Sequence, residues 1–223
     1  MNLLVLSRIR KLANKNKKPL VTYTNPNSMI AEQFRTIRTN IHFLTEQNNR
    51  KVFLITSPNK QEGTSTSIAN LAVSIAQNKE KVLLVDANLR SPALHQLFKT
   101  SNNIGLTNVI NGSTKLNEAI DQTGIAQLDL LTSGTISPNP SDTIGDYRME
   151  NLLKEVGEAY DLVLIDTPPV LKSTETRILA SLCDGVFILL NRGKTKVEEA
   201  EESKKVMDLA QANVLGILLN NNK

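Results

Sequence analysis

Residues 52–75 read VFLITSPNKQEGTSTSIANLAVSI. An apolar, β-branched run from Val52 to Ile55 enters a loop that closes at Gly63, and beyond it Ile68, Leu71, Ala72 and Ile75 recur at helical spacing. Strand, glycine-closed loop and helix in that order outline a phosphate-binding loop. In its intact form, G-x-x-x-x-G-K-[ST], backbone N–H groups and the helix N-terminus hold the phosphates, the Lys reaches the β/γ oxygens, and the Ser or Thr holds Mg²⁺. Gly63 and Ser65 occupy their places in this pattern, whereas Thr64 stands at the lysine position. The stretch supports two readings, a nucleotide enzyme and the relic of one.

Composition narrows what surrounds that loop. A chain of 223 residues suits one large α/β domain. Aromatic residues make up 4% and Trp is absent, while small and branched aliphatic residues dominate, which suits parallel strands covered by helices on both faces. Cys183 is the sole cysteine, so there is no disulfide framework and a reducing cytoplasm fits; its expected role is that of a small buried hydrophobe. No apolar run approaches the roughly 20 residues that span a bilayer, and the first residues lack the apolar core of a signal peptide.

The net charge of +4 is unevenly placed, because Arg8, Arg10, Lys11, Lys15, Lys17 and Lys18 crowd the N-terminus. Such a segment gains about 1 kcal/mol per basic residue at an anionic leaflet, helped here by Leu3, Leu4, Leu6 and Ile9. A solvated tail is the equal alternative. Nucleic acid is not an expected partner, since no aromatic platform or basic groove pattern accompanies the charge. The expected organisation is a basic tail over 1–27 and a single domain over 28–223.

Along that domain, Met29 to about Leu44 is predicted helical, with Ile30, Phe34, Ile37 and Ile41 on one stripe and Glu32, Arg35 and Arg38 clustered beside it. That charged cluster is either a solvated face or an oligomer contact. A second buried strand, Lys81 to Val85, ends in Asp86-Ala87-Asn88-Leu89-Arg90; a carboxylate there lies on the edge where open α/β sheets bind ligands, as a candidate for Mg²⁺ or a proton. Short helices are expected over Ser91–Lys99, which includes a packing or surface His95, and over Gly105–Ile110. Leu128–Thr132 is a third strand, followed by a Pro-rich loop and a helix from about Ser141 to Glu158.

Leu162–Ile165 is a fourth strand closed by Asp166-Thr167-Pro168-Pro169, the form of the strand whose carboxylate organises Mg²⁺ in nucleotide hydrolases with this loop. Helix over Ile178–Cys183, strand over Val186–Leu190, charged helix over Val197–Gln211 and strand over Val214–Leu219 complete the chain. These elements predict an α/β, three-layer P-loop NTPase-like fold with a mainly parallel central sheet.

Taken in order, several landmarks resemble the bacterial tyrosine kinases, in the form found as a separate cytoplasmic protein in Gram-positive capsule and exopolysaccharide systems. They are Glu32-x-x-Arg35-x-x-Arg38, the strand and loop from Val52 to Thr66, VLLVDANLR with Pro92, the LTSG…PNPS passage, YDLVLIDTPPVL, and the closing VLGILLNN. Septum-positioning and partition ATPases share the fold and the aspartates but lack the Glu/Arg helix motif and the LTSG…PNPS passage.

The resemblance implies ATP and Mg²⁺ as cofactors, with Gly63, Thr64, Ser65 and Thr66 at the nucleotide. It implies Ser65, Asp86 and Asp166 at the metal, with Asp86 and Asp166 as the catalytic carboxylates and Asp86 a metal ligand or the base for the tyrosine hydroxyl. It further implies a homo-oligomeric ring joined through Glu32, Arg35 and Arg38. A membrane chain-length regulator would activate the kinase, which is thus cytoplasmic and membrane-associated through that partner, and a tyrosine cluster at the neighbour's C-terminus would be the acceptor.

This chain departs from the family pattern in four places. P-G-E-G-K-S-T is here Lys60-Gln61-Glu62-Gly63-Thr64-Ser65-Thr66, D-x-D is Asp86-x-Asn88, the Asp after the third motif is Glu175, and the chain given ends without a tyrosine cluster. Two readings follow. One is a protein-tyrosine kinase using Mg-ATP, its lost charge restored by Lys60 or a neighbouring subunit; the other is a pseudokinase scaffold of the same system.

Overall fold

The computed structural model describes residues 4–10, 20–46 and 51–221. In chain order the elements are β1 (Leu4–Arg10), α1 (Val21–Thr24), α2 (Met29–Glu46), β2 (Val52–Thr56), α3 (Thr64–Ala76), β3 (Val82–Asp86), α4 (Leu94–Phe98), α5 (Leu106–Ile110), α6 (Leu116–Ala119), β4 (Ile120–Gln122) and β5 (Leu128–Leu131). Then come α7 (Pro140–Gly145), α8 (Tyr147–Ala159), β6 (Leu162–Asp166), a 3₁₀ turn (Val170–Lys172), α9 (Thr174–Leu182), β7 (Gly185–Asn191), α10 (Val197–Leu209) and β8 (Val214–Asn221). The strands form one sheet in the order β1-β8-β7-β2-β6-β3-β5-β4. Every pairing is parallel except β4 with β5.

Two cores follow from the two-residue period of the strands. Phe53, Ile55, Val82, Leu84, Leu162, Leu164 and Phe187 point to one face and meet α2 and α3 through Phe34, Ile37, Ile41, Ile68, Leu71 and Ile75. Val52, Leu54, Leu83, Val85, Val163 and Ile165 point to the other, where Leu152, Leu153, Val156, Leu179 and Met207 cover them. Because both faces are covered, the central strands β2, β3 and β6 are buried throughout. Each such side chain contributes about 1.5–3 kcal/mol. The result is the expected three-layer α/β sandwich.

Helix α3 lies between the sheet and the α1–α2 pair, and its residues from Ser67 to Ala76 are all buried. That explains its small residues, Ala69, Ala72 and Ala76, which let neighbours approach on every side. No helix among the described residues is long and apolar enough to cross a membrane.

Three local expectations are revised. The segment taken as tail contains parts of the fold: β1 pairs with β8, and Leu20 and Thr22 are buried. The Thr22 amide donates to Asn70 Oδ1 at 3.0 Å and its hydroxyl to the same atom at 2.9 Å. Of the basic residues on which the lipid reading rests, Arg8 and Arg10 lie in β1, and Lys11, Lys15, Lys17 and Lys18 lie outside the described residues. The helix expected from Ser141 to Glu158 is two, because the Asp146 carboxylate accepts the Arg148 amide at 2.9 Å and starts α8 afresh. The helix expected from Ser91 begins only at Leu94, since Asp86 Oδ2 captures the amides of Ala93 and Leu94, each at 3.0 Å.

Candidate functional site

The strand order brings the C-terminal ends of β2, β3 and β6 together, and the loop after β2 is strapped to the turn after β6. Thr56 donates to the Pro168 carbonyl at 2.8 Å, Thr167 to Ile55 O at 3.2 Å, and the Val170 amide to Ser57 O at 2.9 Å. Within the loop, Gln61 and Gly63 both take left-handed backbone conformations, with φ of 60° and 95°. The turn that a glycine would make without strain is thus made here by a glutamine. A Cβ at Gly63 would lie 2.5 Å from Asn220 Nδ2, so a side chain there would displace Asn220.

That Asn220 side chain donates to Glu62 O at 2.7 Å, and Thr195 donates to Glu62 Oε1 at 2.9 Å. Lys194 Nζ reaches Lys60 O at 2.9 Å and Gln61 O at 3.1 Å. The loop is therefore held from outside by the turn after β7 and the end of β8. Glu62 itself is buried, and burial pushes its carboxyl above the usual range against the Thr195 bond and the nearby Lys194 charge.

Helix α3 opens at Thr64, and its first amides have no intrahelical acceptor, as at any helix start. Thr64 does not reach forward: its hydroxyl donates to Ser57 Oγ at 3.0 Å. Ser65 lies beside Asp166. Thr66 is exposed, and its carbonyl accepts Asn70 Nδ2 at 2.8 Å.

Asp86 and Asp166 are direct partners in the β3–β6 register, and both are fully buried. Their surroundings differ sharply. Asp86 Oδ1 accepts the Asn88 amide at 3.1 Å while Oδ2 takes Ala93 and Leu94. Both oxygens of Asp166 are buried without a hydrogen-bond partner; the Ser65 hydroxyl and Thr167 amide favour its charge without completing such a bond. Burial, opposed by the three amides, pushes Asp86 up to about 6. Burial, and then the Asp86 charge, push Asp166 well above the usual carboxylate range.

An orphaned buried carboxylate beside a hydroxyl at a helix N-terminus suits Mg²⁺, which takes one or two carboxylates and fills its other positions with phosphate oxygens and water. Among the described residues no group of three or more His, Cys, Asp or Glu could hold a metal ion.

Glu175, at the start of α9, joins this edge. It is buried and pairs with Arg90 at 2.5 Å, and Ser141 donates to it at 3.2 Å. Burial alone would raise its carboxyl, yet its hydrogen bonds, that from Arg90 foremost, outweigh burial and hold it low. Arg90 and Ser141 sit in sequence motifs named above, whereas Lys194 and Thr195 carry no signal beyond their place after a predicted strand.

Glu32, Arg35 and Arg38 lie on α2, and the structure divides them. Glu32 and Arg35 pair with each other in an exposed position, and Arg35 also donates to Pro26 O at 2.5 Å. Arg38 turns inward to Ser74 O on α3 at 2.6 Å, so it ties two helices together.

A family model described as an AAA domain matches residues 51–214, the span from the start of β2 to the start of β8. The tyrosine-protein kinase YwqD of Bacillus subtilis is 39% identical over 207 residues, covering 93% of this chain and 87% of that protein. The chain belongs to the bacterial tyrosine kinase family. Two solved structures superpose on nearly the whole chain. The chimerical protein CapA2B2 superposes with a TM-score of 0.91 at 35% identity over 98% of this chain and 94% of that one. The kinase domain of the Escherichia coli tyrosine kinase ETK gives 0.92 at 30% identity, over 99% and 91%.

Proposed function

We propose that this chain binds Mg-ATP at the ends of β2, β3 and β6 and acts as a protein-tyrosine kinase of capsular or exopolysaccharide biosynthesis. The observation that carries this reading is Asp166, a buried carboxylate with both oxygens unpartnered, in register with Asp86 and beside Ser65. An orphan of this kind is costly unless something completes it. Ser65 and Asp166 would hold Mg²⁺, and the loop amides from Gln61 to Thr66 the phosphates. Bound there, the ion neutralises charge on the phosphoryl oxygens.

Asp86 is raised less than Asp166, because three amides favour its charged form and fix its direction. It would accept the proton of an incoming tyrosine hydroxyl. Of the chain's tyrosines, Tyr23 and Tyr147 are exposed, while Tyr160 is buried and bonded to Asp129 at 2.9 Å. The acceptor is therefore one of the exposed pair or a tyrosine of another protein. Glu32 and Arg35 would contact a neighbouring subunit of the ring, and a membrane chain-length regulator would hold the cytoplasmic kinase at the membrane and activate it.

Thr64 favours a second reading, a pseudokinase scaffold, because its hydroxyl is turned back onto Ser57 and position 64 carries no charge. Calorimetry with Mg-ATP and phosphotyrosine detection, with the partner's cytoplasmic segment present, separate the two. Micromolar binding with phosphotyrosine that disappears in Asp86→Asn supports the kinase. No native binding, with binding recovered in Thr64→Lys, establishes the scaffold.

A further inference from the structure

We propose that Lys194, on the turn between β7 and α10, supplies the phosphate loop with the positive charge that position 64 lacks. The inference rests on nucleotide binding at this loop. Lys60, the nearer candidate in sequence, meets the loop only through its backbone carbonyl, and that carbonyl is itself an acceptor for Lys194. The Lys194 ammonium sits on two successive loop carbonyls, those of Lys60 and Gln61. An ammonium has three N–H donors. The loop takes two, and no described residue takes the third.

The turn is built to hold that amine in place. Gly193 takes φ of 88°, which lets the chain reverse directly after β7. The amides of Lys194 and Thr195 close onto Asn191 O at 3.0 and 2.9 Å. Thr195 Oγ1 accepts the Asn191 amide at 2.8 Å and donates to Glu62 Oε1 at 2.9 Å. Asn220 grips the next carbonyl of the same loop, Glu62 O. Three consecutive loop carbonyls, at 60, 61 and 62, are thereby engaged by side chains from the turn after β7 and the end of β8.

The electrostatics agree with that geometry. In a loop with left-handed residues at Gln61 and Gly63, carbonyls and amides point to different sides, and the amides form an anion-binding concavity. A cation fixed on the carbonyl side polarises the same peptides whose N–H groups meet the phosphates. Glu62 on the same loop spends Oε1 on the Thr195 hydroxyl rather than on the Lys194 ammonium.

The test is calorimetry with Mg-ADP on the full chain, on Lys194→Ala, on Lys194→Gln, which keeps donors for the carbonyls but removes the charge, and on Thr64→Lys with and without Lys194→Ala. Circular dichroism melts establish that each variant folds. Both Lys194 variants are expected to lose about ten-fold or more in affinity, the usual scale for one charged hydrogen bond. The dependence of affinity on salt should flatten with them. In the Thr64→Lys background, Lys194→Ala should cost no more than about two- or three-fold, because the motif's own lysine is back. Arg192→Ala, an exposed cation on the same turn, should bind as native.

Native-like binding by Lys194→Gln overturns the proposal, since Lys194 would then be only a strut. So does a loss carried by Lys60→Ala instead. Binding in Thr64→Lys but not in the native chain also overturns it, because no replacement charge would then exist. Absence of binding in both refutes the nucleotide reading itself, and the inference with it.

Discussion

Replacing Asp166 by asparagine should stabilise the metal-free protein at alkaline pH while abolishing its response to Mg-nucleotide. A carboxylic acid whose folded pKa lies above its unfolded value favours the native state at low pH, and that advantage is lost as pH rises through the folded value. Both Asp86 and Asp166 are raised in this way. For Asp86 the rise from 3.8 to about 6 corresponds to about 3 kcal/mol of stability given up between acid and neutral pH. Asp166, both of whose oxygens lack a hydrogen-bond partner, is the more perturbed of the pair.

The neutral side chain of Asp166→Asn would mimic the protonated acid at every pH and relieve Asp86 of its charged neighbour. In EDTA at pH 8 the variant should therefore be the more stable of the two and melt at the higher temperature. As pH falls and native Asp166 takes up its proton, the two melting curves should converge. Mg-ADP should raise the Tm of the native chain and leave the variant unmoved. Parallel pH profiles for the two proteins would refute the claim that this pair stores electrostatic strain for a cation to release.

Other outcomes follow from single contacts. Asn70→Ala strands the buried Thr22 amide and leaves its hydroxyl only the Asn70 carbonyl; about 1–3 kcal/mol should be lost, and hydrogen exchange should show the loss of protection at residues 20–24 first. Gln61→Gly relieves a left-handed side-chain residue and should stabilise by about 1 kcal/mol in urea titrations. Arg35→Ala and Arg38→Ala should separate assembly from stability. The exposed Arg35 variant should change the oligomer profile in light scattering with a Tm near native. The Arg38 variant loses its bond to Ser74 O and should lower stability by about 1–2 kcal/mol.

How much of this was legible depended on where the determining contacts lie along the chain. β2, the loop and α3 are written locally, because an apolar run, a glycine and a 3.6-residue period occur within residues 52–75. Asp86 and Asp166 were equally legible as carboxylates closing apolar strands, and their adjacency needed only that β3 and β6 be neighbours. The short edge strand β4, Ile-Asp-Gln, has no pattern of its own and exists through its antiparallel pairing with β5. β1 lies in a basic stretch whose composition points away from a strand, and only pairing with β8 makes it one. The late start of α4 was hidden for the same reason, since a carboxylate several residues earlier takes its first amides.

The same distinction bears on why the loop keeps its shape without its lysine and second glycine. The missing residues are local, but the restraints on the loop are not. Val170 and Thr167 hold its entry from the β6 side, and Asn220, Thr195 and Lys194 hold its far side from β7 and β8. A left-handed glutamine costs of order 1–3 kcal/mol, a sum that a few buried hydrogen bonds of about 1 kcal/mol each can offset. Shape is thus supplied by tertiary contacts, and charge is the one property they do not restore unless one of them is itself a cation. Among those anchors only Lys194 is, which is why the fate of chemistry at this site turns on that side chain more than on the glycine that was lost.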